Sequence, residues 1–173
     1  MTRGPSDPAG ERIDPATTPT EVEEVRALFL EYATGLGVDL SFEHFDEELR
    51  SLPGPYAPPR GTLLVVHRAS EPVGCAGVRP LASGECELKR LYLRPAVRGH
   101  GLGRRLLGRA LDFAAAAGYA TMWLDTLPSM VEAIGLYRSL GFVEVPEYRP
   151  NPIPGTRYFR RELPARAERG TSK

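Results

Sequence analysis

The sequence predicts one α/β (α+β) domain, in which helices flank a mixed and mostly antiparallel β-sheet. Three short segments of strand-like apolar residues, separated by turns, follow one another between residues 62 and 93, which is typical of an antiparallel meander. The third of them leads through a long amphipathic helix into a further strand, and this order predicts a parallel pair joined by a right-handed crossover. With 173 residues, 42% of them hydrophobic, the chain can bury one core.

The charge of the chain is balanced, since Lys+Arg and Asp+Glu both number 22. No net field favours nucleic acid or an anionic membrane, so we expect neither as a partner. The sequence contains no apolar run of membrane-spanning length and no signal-peptide core, and two cysteines are too few for a disulfide framework. We therefore expect a cytoplasmic protein.

The domain is predicted to span residues 11–163, between a disordered lead-in at 1–10 and a polar tail at 164–173. The lead-in is rich in Pro and Gly, and a short edge strand is expected around Ile13. Thr20 and Glu23 have capping-box spacing and predict a helix start, from which apolar residues recur with helical period to about Thr34.

Ser41 is predicted to cap a short second helix, followed by a Pro-rich loop at 53–61. The aromatic stripe of this helix, which includes Phe42 and Phe45, fits either a lid over a substrate or core packing, which is the commoner use of such a stripe. Tyr56 in the loop either faces a ligand or belongs to a connector.

The rest of the chain alternates strands with two helices. The predicted elements are strands at Thr62–His67, Val73–Arg79 and Glu85–Leu93, a helix from Leu102 to Gly118, a strand at Tyr119–Asp125, a helix from Pro128 to Gly141, and strands at Phe142–Val145 and Thr156–Leu163.

The segment Arg98-Gly99-His100-Gly101-Leu102-Gly103 joins the third meander strand to the long helix. Glycines at a helix N-terminus expose backbone N–H groups with no Cβ in the way, which suits a phosphate group. The segment is no Walker loop, because no Lys-Ser/Thr follows, and its spacing is not that of the dinucleotide-binding G-x-G-x-x-G. A tight turn without a ligand is the remaining alternative.

Three features of the sequence resemble the GNAT superfamily of acetyl-CoA-dependent N-acyltransferases. Arg98 to Gly103 has the form Arg/Gln-x-x-Gly-x-Gly/Ala, and the segment from Leu136 to Phe142 is similar to the family's closing Tyr-x-x-x-Gly-Phe. The predicted order β-α-α-β-β-β-α-β-α-β-β also matches the family from about Arg12 to Leu163. The resemblance implies a GNAT-like sheet that splays open beside its fourth strand.

The same resemblance implies acetyl-CoA as the acyl donor. The loop amides would bind its pyrophosphate, the Leu91 N–H would polarise the thioester carbonyl, and Leu93 would hold the pantetheine arm before Pro95 ends the strand. No metal is predicted, because the histidines and cysteines lack ligand spacing. The implied cofactor-binding residues are Leu91, Tyr92, Leu93, Arg98, Gly99, His100, Gly101, Leu102, Gly103 and Arg104.

Two residues are implied as catalytic. Glu87 lies 11 residues before Arg98, where some members of the family have a glutamate that acts as the base. The alternative interpretation is that Glu87 is a solvated strand residue or an ion-pair partner. Tyr137 lies where the family has the acid that protonates the leaving thiolate. The alternative interpretation is that Tyr137 is a tyrosine of the core. Met130 stands where many relatives have an asparagine, seven residues before this tyrosine.

The resulting hypothesis is N-acetylation of a primary amine on a small molecule or peptide by direct transfer in a ternary complex. Cys75 and Cys86 lie upstream of the thioester site, so no acyl-enzyme is expected. The alternatives are a non-catalytic acyl-CoA sensor, a longer acyl group, or transfer to oxygen. An inward-pointing Arg149 or Arg157 would favour an acceptor with a carboxylate. Exposed sheet edges are compatible with a homodimer.

Overall fold

The computed structural model describes residues 10–165. The predicted lead-in, apart from Gly10, and the predicted tail beyond Ala165 lie outside the described residues. The elements follow the predicted order. They are β1 (Glu11–Pro15), α1 (Pro19–Leu36), α2 (Phe45–Ser51), β2 (Thr62–Arg68), β3 (Glu71–Ala82), β4 (Glu85–Leu93), α3 (Leu102–Ala116), β5 (Thr121–Thr126), α4 (Val131–Ser139), β6 (Val143–Val145) and β7 (Arg157–Glu162).

The seven strands form one sheet in the order β1-β2-β3-β4-β5-β7-β6. Among the described strands, only β4 and β5 are parallel, and their register covers no more than residues 85–87 of β4 and 121–123 of β5. Beyond this point both strands continue without pairing to each other. The sheet therefore opens between them, as the predicted splay requires, and the opening decides where the site lies.

Helices cover both faces of the sheet. Side chains of α3 and α4 pack on one face and those of α1 and α2 on the other, in two separate apolar clusters. Neighbouring Val65 and Val66 of β2 enter different clusters, and neither is exposed. Each such buried aliphatic side chain contributes roughly 1.5–3 kcal/mol. Among the described helices, none is both long and apolar enough to cross a membrane.

The two predicted helix caps are wrong in position. Helix α1 is capped by Thr18, whose hydroxyl accepts from the Glu21 N–H at 3.2 Å, because Pro19 is suited to the first turn and starts the helix earlier than Thr20. Ser41 lies in a short 3-10 turn, where its N–H donates to Asp39 Oδ1 at 2.8 Å. The residue preceding α2 is His44, which has a φ of 53°.

Tyr56 belongs to the core and does not face a ligand. Its ring is fully buried, and its hydroxyl donates to Glu48 Oε1 at 2.8 Å. The ring packs against Gly77 of β3 so closely that a Cβ there would lie 2.5 Å from Tyr56 Cε1. Phe45, the buried aromatic of α2, packs in the same cluster, while Phe42 is only partly buried.

Candidate active site

A β-bulge in β4 lies beside the sheet opening. Tyr92 is opposite Cys75 and Lys89 is opposite Gly77, so β4 has one residue more than β3 over this stretch, and Arg90 has a φ of 57°. The extra residue interrupts the alternation of side chains, so that Lys89 and Arg90 both reach the side of the sheet covered by α1 and α2. Leu91 returns to the opposite core and has no register partner in β3 or β5.

The glycine loop presents unpaired backbone donors at the start of α3. None of the N–H groups of residues 99–104 donates to another residue in the range 10–165, and no side chain caps the helix. Gly99 and Gly101 have φ values of 88° and 77°, and nothing lies within 4 Å of the Cβ that either would carry. Open donors at the positive end of a helix are suited to bind an anionic group.

A groove of about 730 Å³ leads from this loop along the end of β4. Of the predicted cofactor-binding residues, those in its walls are Leu91, Tyr92, Leu93, Arg98, Gly99 and Gly103. The others do not line the groove. Leu102 is buried in the core, His100 is exposed, and Arg104 donates to Ser139 Oγ at 2.8 Å.

Arg98 ties the glycine loop to the end of β4. Its Nε donates to the Leu93 carbonyl at 2.8 Å, and its guanidinium carbon lies 5.8 Å from the centre of the Tyr92 ring. The opposite wall is formed at the start of α4, where Met130 precedes the first helical residue, Val131. A thioether is only a weak acceptor, so Met130 does not replace the hydrogen bonds of an asparagine amide.

A second, smaller cavity of about 40 Å³ lies at the opening between β4 and β5. Tyr32 and Leu36 of α1 line both the groove and this cavity, which places the two spaces next to each other. Apolar side chains form part of the cavity wall. Its charged lining residues are Glu43, Lys89, Arg90 and Asp125.

Glu43, in this wall, pairs with three cations. Its carboxylate lies 3.0 Å from Lys89 Nζ, 2.8 Å from Arg90 Nη1 and 3.2 Å from Arg149 Nη2. Burial by itself would raise the pKa of Glu43, but these cations outweigh it and lower the pKa to about 2. Burial and the adjacent Arg90 lower the pKa of Lys89.

Glu87 lies on the same face of the sheet and has no exposed surface. Its Oε1 accepts from Arg79 Nη2 at 2.9 Å, and its Oε2 accepts from the Tyr148 hydroxyl at 2.6 Å and lies 3.2 Å from Arg149 Nη2. Burial opposes ionisation, but the neighbouring cations, Lys89 first, lower the pKa of Glu87. Glu87 does not line the cavity, so a proton from a molecule bound there would reach Glu87 through Tyr148 or a water. Its role as a base stays a prediction.

Tyr137 is buried on the inner side of α4, with its ring 5.8 Å from that of Phe142 and 6.2 Å from that of Phe159. Its hydroxyl has no hydrogen-bond partner in the described part of the chain. Burial, with Tyr32 and Asp125 nearby, raises the pKa of Tyr137, so the phenol stays protonated. Its role as an acid also stays a prediction, and the adjacent Leu136 lines the groove.

Asp125, near the end of β5, is a further residue of the cavity wall. Its Oδ2 lies 3.4 Å from Arg149 Nη2 and 3.3 Å from Asn151 Nδ2. Arg149 therefore points inward, whereas Arg157 pairs with Glu144 at the surface, at 2.6 Å. A polar residue at a strand end was the only available signal, since the contacts of Asp125 depend on where β4 and β5 diverge.

Neither cysteine is suited to be a nucleophile. Both Cys75 and Cys86 are buried, and burial raises the pKa of each thiol, that of Cys86 to about 12. Within residues 10–165, no three His, Cys, Asp or Glu side chains are grouped so as to hold a metal ion.

The arrangement of strands, loop and groove agrees with a comparison of the sequence with known families. The model of the acetyltransferase (GNAT) family matches residues 22–142, which include β4, the glycine loop and Tyr137. The chain belongs to the GNAT family. The resemblance that we noted in the sequence is thereby confirmed, and so is the expectation of an acyltransferase.

Individual acetyltransferases are similar over most of the chain. An uncharacterized N-acetyltransferase of Schizosaccharomyces pombe is 37% identical over 158 residues, which cover 90% of this chain and 97% of the relative. An acetyltransferase structure from Streptococcus agalactiae has a TM-score of 0.74 at 20% identity, covering 89% of this chain and 99% of that one. The Thermoplasma acidophilum PaiA N-acetyltransferase, solved in complex with coenzyme A, has a TM-score of 0.68 at 14% identity, covering 88% and 99%. These two structural similarities concern the fold alone.

Proposed function

We propose that this GNAT protein transfers the acetyl group of acetyl-CoA to a primary amine of a small molecule or peptide, directly within a ternary complex. The observation that carries the proposal is the continuity of the groove, which runs from the open amides of residues 99–104 to Tyr32 and Leu36, where the cavity begins. A structural neighbour from Thermoplasma acidophilum was solved in complex with coenzyme A, which supports coenzyme A as the carrier of the acyl group here.

The residues of the groove fit coenzyme A in chemistry. The unpaired amides of residues 99–104 would bind a pyrophosphate, because they offer several donors at a positive helix end. The bulge leaves Leu91 without a register partner, so its N–H would be available to an oxygen that gains negative charge. When bound, acetyl-CoA supplies an electrophilic thioester carbonyl and a thiolate leaving group.

Proton transfer would accompany the exchange of bonds. An amine arrives as an ammonium, because amines have a pKa near 10, and it must lose one proton before its nitrogen attacks the carbonyl carbon. The C–N bond forms, the C–S bond breaks, and a second proton leaves the nitrogen. We propose that Glu87 receives the first proton through Tyr148 or a water, and that Tyr137 protonates the departing sulfur. By way of solvent, the second proton from the nitrogen replaces the one that Tyr137 gives up, and Glu87 releases the first. The products are therefore an amide, a thiol and one released proton.

Calorimetry and a thiol-release assay test this function. We expect acetyl-CoA to bind, and thiol release to require both acetyl-CoA and an amine from a broad panel of small amines and peptides. Longer acyl-CoA donors should react more slowly, because the cavity next to the groove is small, about 40 Å³. Binding without any transfer would instead show an acyl-CoA sensor, and absence of binding would disprove the proposal.

A further inference from the structure

Two side-chain oxygens in the cavity wall have no hydrogen-bond partner among the described residues. One is Oδ1 of Asp125, since the contacts of Asp125 with Arg149 and Asn151 are both made by Oδ2. The other is the hydroxyl of Tyr32, which lines the groove as well as the cavity. Both residues keep part of their surface exposed, so a molecule in the cavity can reach these oxygens.

Asp125 Oδ1 is the free anionic atom of the wall. Glu43, the other carboxylate that lines the cavity, has one oxygen on Lys89 and the other on Arg90. Glu87 also has both oxygens occupied, and it does not line the cavity. Within residues 10–165, the cluster therefore offers a cationic ligand one carboxylate oxygen, which an ammonium group would satisfy with a charge-assisted hydrogen bond.

The cations near the cavity disfavour a second positive charge on the ligand. Lys89 and Arg90 lie in the wall, so a second ammonium would lie near like charges without a free carboxylate oxygen of its own. Arg149 points inward but does not line the cavity, and its Nη2 is shared among Glu43, Glu87 and Asp125. The inward position of Arg149 therefore does not by itself favour an acceptor with a carboxylate.

Much of the remaining wall is apolar. Leu36, Phe42, Leu127 and Ile153 line the cavity, and each keeps part of its surface exposed. Covering such surface with an apolar group is favourable, whereas a polar group placed against it would lose water without gaining a partner. The wall therefore favours an apolar substituent beside the ammonium.

We infer that the acceptor is a primary amine with a single positive charge and an apolar substituent, whose ammonium group binds Asp125 Oδ1 and the Tyr32 hydroxyl. The inference deepens the proposed function and rests on it. Tyr32 and Leu91 both line the groove, so a nitrogen bound to Tyr32 would lie next to the proposed position of the thioester. Tyr32 and Asp125 are also the neighbours that, after burial, raise the pKa of Tyr137, the proposed acid.

Two matched pairs of amines test the inference with the native protein and acetyl-CoA at neutral pH. The first pair is butylamine and the diamine in which a second ammonium replaces its terminal methyl group. We expect kcat/KM for butylamine to be higher by roughly tenfold or more, because the second charge finds no free carboxylate oxygen. An equal or better diamine would overturn the inference.

The second pair is ethylamine and methoxyamine, which have similar size but differ in charge, because methoxyamine is neutral at this pH. We expect KM to be lower for ethylamine by about tenfold, because only ethylamine forms a charge-assisted hydrogen bond with Asp125. The uncatalysed reaction of methoxyamine with acetyl-CoA is measured without protein and subtracted. An equal or lower KM for methoxyamine would contradict the role of the charge.

The variant Asp125→Asn separates recognition of charge from folding. The substitution keeps the size of the side chain and removes the negative charge, so KM should rise by about tenfold for ethylamine and stay unchanged for methoxyamine. Asp112→Asn is the control, because Asp112 is exposed on α3, which covers the other face of the sheet. Equal changes for the two amines would show that Asp125 only holds Arg149 and Asn151, and would overturn the inference.

The variant Tyr32→Phe tests the second contact. The ring and its edge contact with Tyr92, at 6.1 Å between centroids, remain, and only the hydroxyl is lost. We expect KM for ethylamine to rise by about fivefold, while calorimetry shows an unchanged affinity for coenzyme A. An unchanged KM would exclude Tyr32 from the binding of the acceptor. If amines are acetylated without these preferences, this inference fails and the proposed function stands; if no amine is acetylated, the proposed function itself fails.

Discussion

Glu87 shows how burial and nearby cations set the state of a single carboxylate. Its neighbours Arg79, Tyr148 and Arg149 use both oxygens, and the lowered pKa keeps it ionised at neutral pH. A base must be ionised to accept a proton, but a low pKa makes the base weak. Any activity that depends on ionised Glu87 should therefore fall only below its ordinary pKa of 4.5, as the carboxylate becomes protonated.

We predict that Glu87→Gln lowers kcat by about 100-fold, because an amide cannot accept the proton. Steady-state kinetics on folded protein, checked by circular dichroism, would measure the effect. Glu85→Gln is the matched control, since Glu85 lies two positions earlier on β4 and no cation contacts it within residues 10–165. A Glu87→Gln protein that is less stable but has unchanged kcat would show that Glu87 only positions Arg149 and Tyr148.

Tyr137 combines a packed ring with an unbonded hydroxyl. We predict that Tyr137→Phe lowers kcat by about 100-fold while the free energy of unfolding and the affinity for coenzyme A stay nearly unchanged, because the ring contacts remain and only the proton donor is lost. Because burial raises the pKa of Tyr137, the phenol should not limit activity in a pH profile up to about 9.

Kinetics and calorimetry on the same preparation would measure both effects for Tyr137→Phe. Tyr119→Phe is the control, a buried tyrosine whose hydroxyl donates to the Arg60 carbonyl at 2.7 Å, away from the groove. Unchanged kcat in Tyr137→Phe would assign this tyrosine to the core.

At the scale of elements, the junction of the glycine loop and α3 depends on backbone conformation. Gly101 precedes the helix with a φ of 77°, whereas Gly108, in the same helix, has ordinary helical geometry and open space around its Cβ position. The two glycines therefore respond differently to alanine, although both belong to one segment of the chain.

We predict that Gly101→Ala costs about 1 kcal/mol and weakens binding of coenzyme A, because a Cβ disfavours positive φ and shifts the open amides. Gly108→Ala should instead stabilise the protein by about 0.5–1 kcal/mol and leave that affinity unchanged. Urea denaturation and calorimetry would measure both. Equal affinities for coenzyme A in the two variants would contradict the role of the loop.

At the scale of the whole molecule, the charged cluster joins elements from both halves of the chain. Glu43 precedes α2, Lys89 and Arg90 belong to β4, and Arg149 follows β6. The pKa of Glu43, about 2, is lower than its ordinary value of 4.5. Such a carboxylate stabilises the fold fully above its unfolded pKa, and this contribution is lost as pH falls towards the folded pKa.

We predict a loss of about 3 kcal/mol in the free energy of unfolding between about pH 5 and pH 2 from this residue, measured by urea denaturation across that range. Glu43→Gln should be less stable at pH 7, because Lys89 and Arg90 lose their common partner, and its stability should depend less on pH. Glu47→Gln, at an exposed position of α2, should behave like the native protein. An unchanged pH dependence in Glu43→Gln would contradict this account.

The sequence by itself determined the order of the elements and the position of the glycine loop. Helical periodicity, turn residues and glycines act through neighbours only a few residues apart, so they can be interpreted without knowing the rest of the fold. The capping box lies two residues earlier than predicted. The reason is equally local, because Pro19 is suited to the first turn and the helix begins there.

Only the tertiary structure decided which charged residues meet at the sheet opening. Arg149 and Glu43 are 106 residues apart, and Arg149 and Asp125 are 24 apart. Their contacts depend on the bulge that turns Lys89 and Arg90 to one side, and on the point at which β4 and β5 diverge. Neither feature has a local periodicity in the sequence, because each arises from the pairing of strands with distant partners. The glycine loop could thus be recognised from the sequence, whereas the charged cluster at the sheet opening is assembled only by folding.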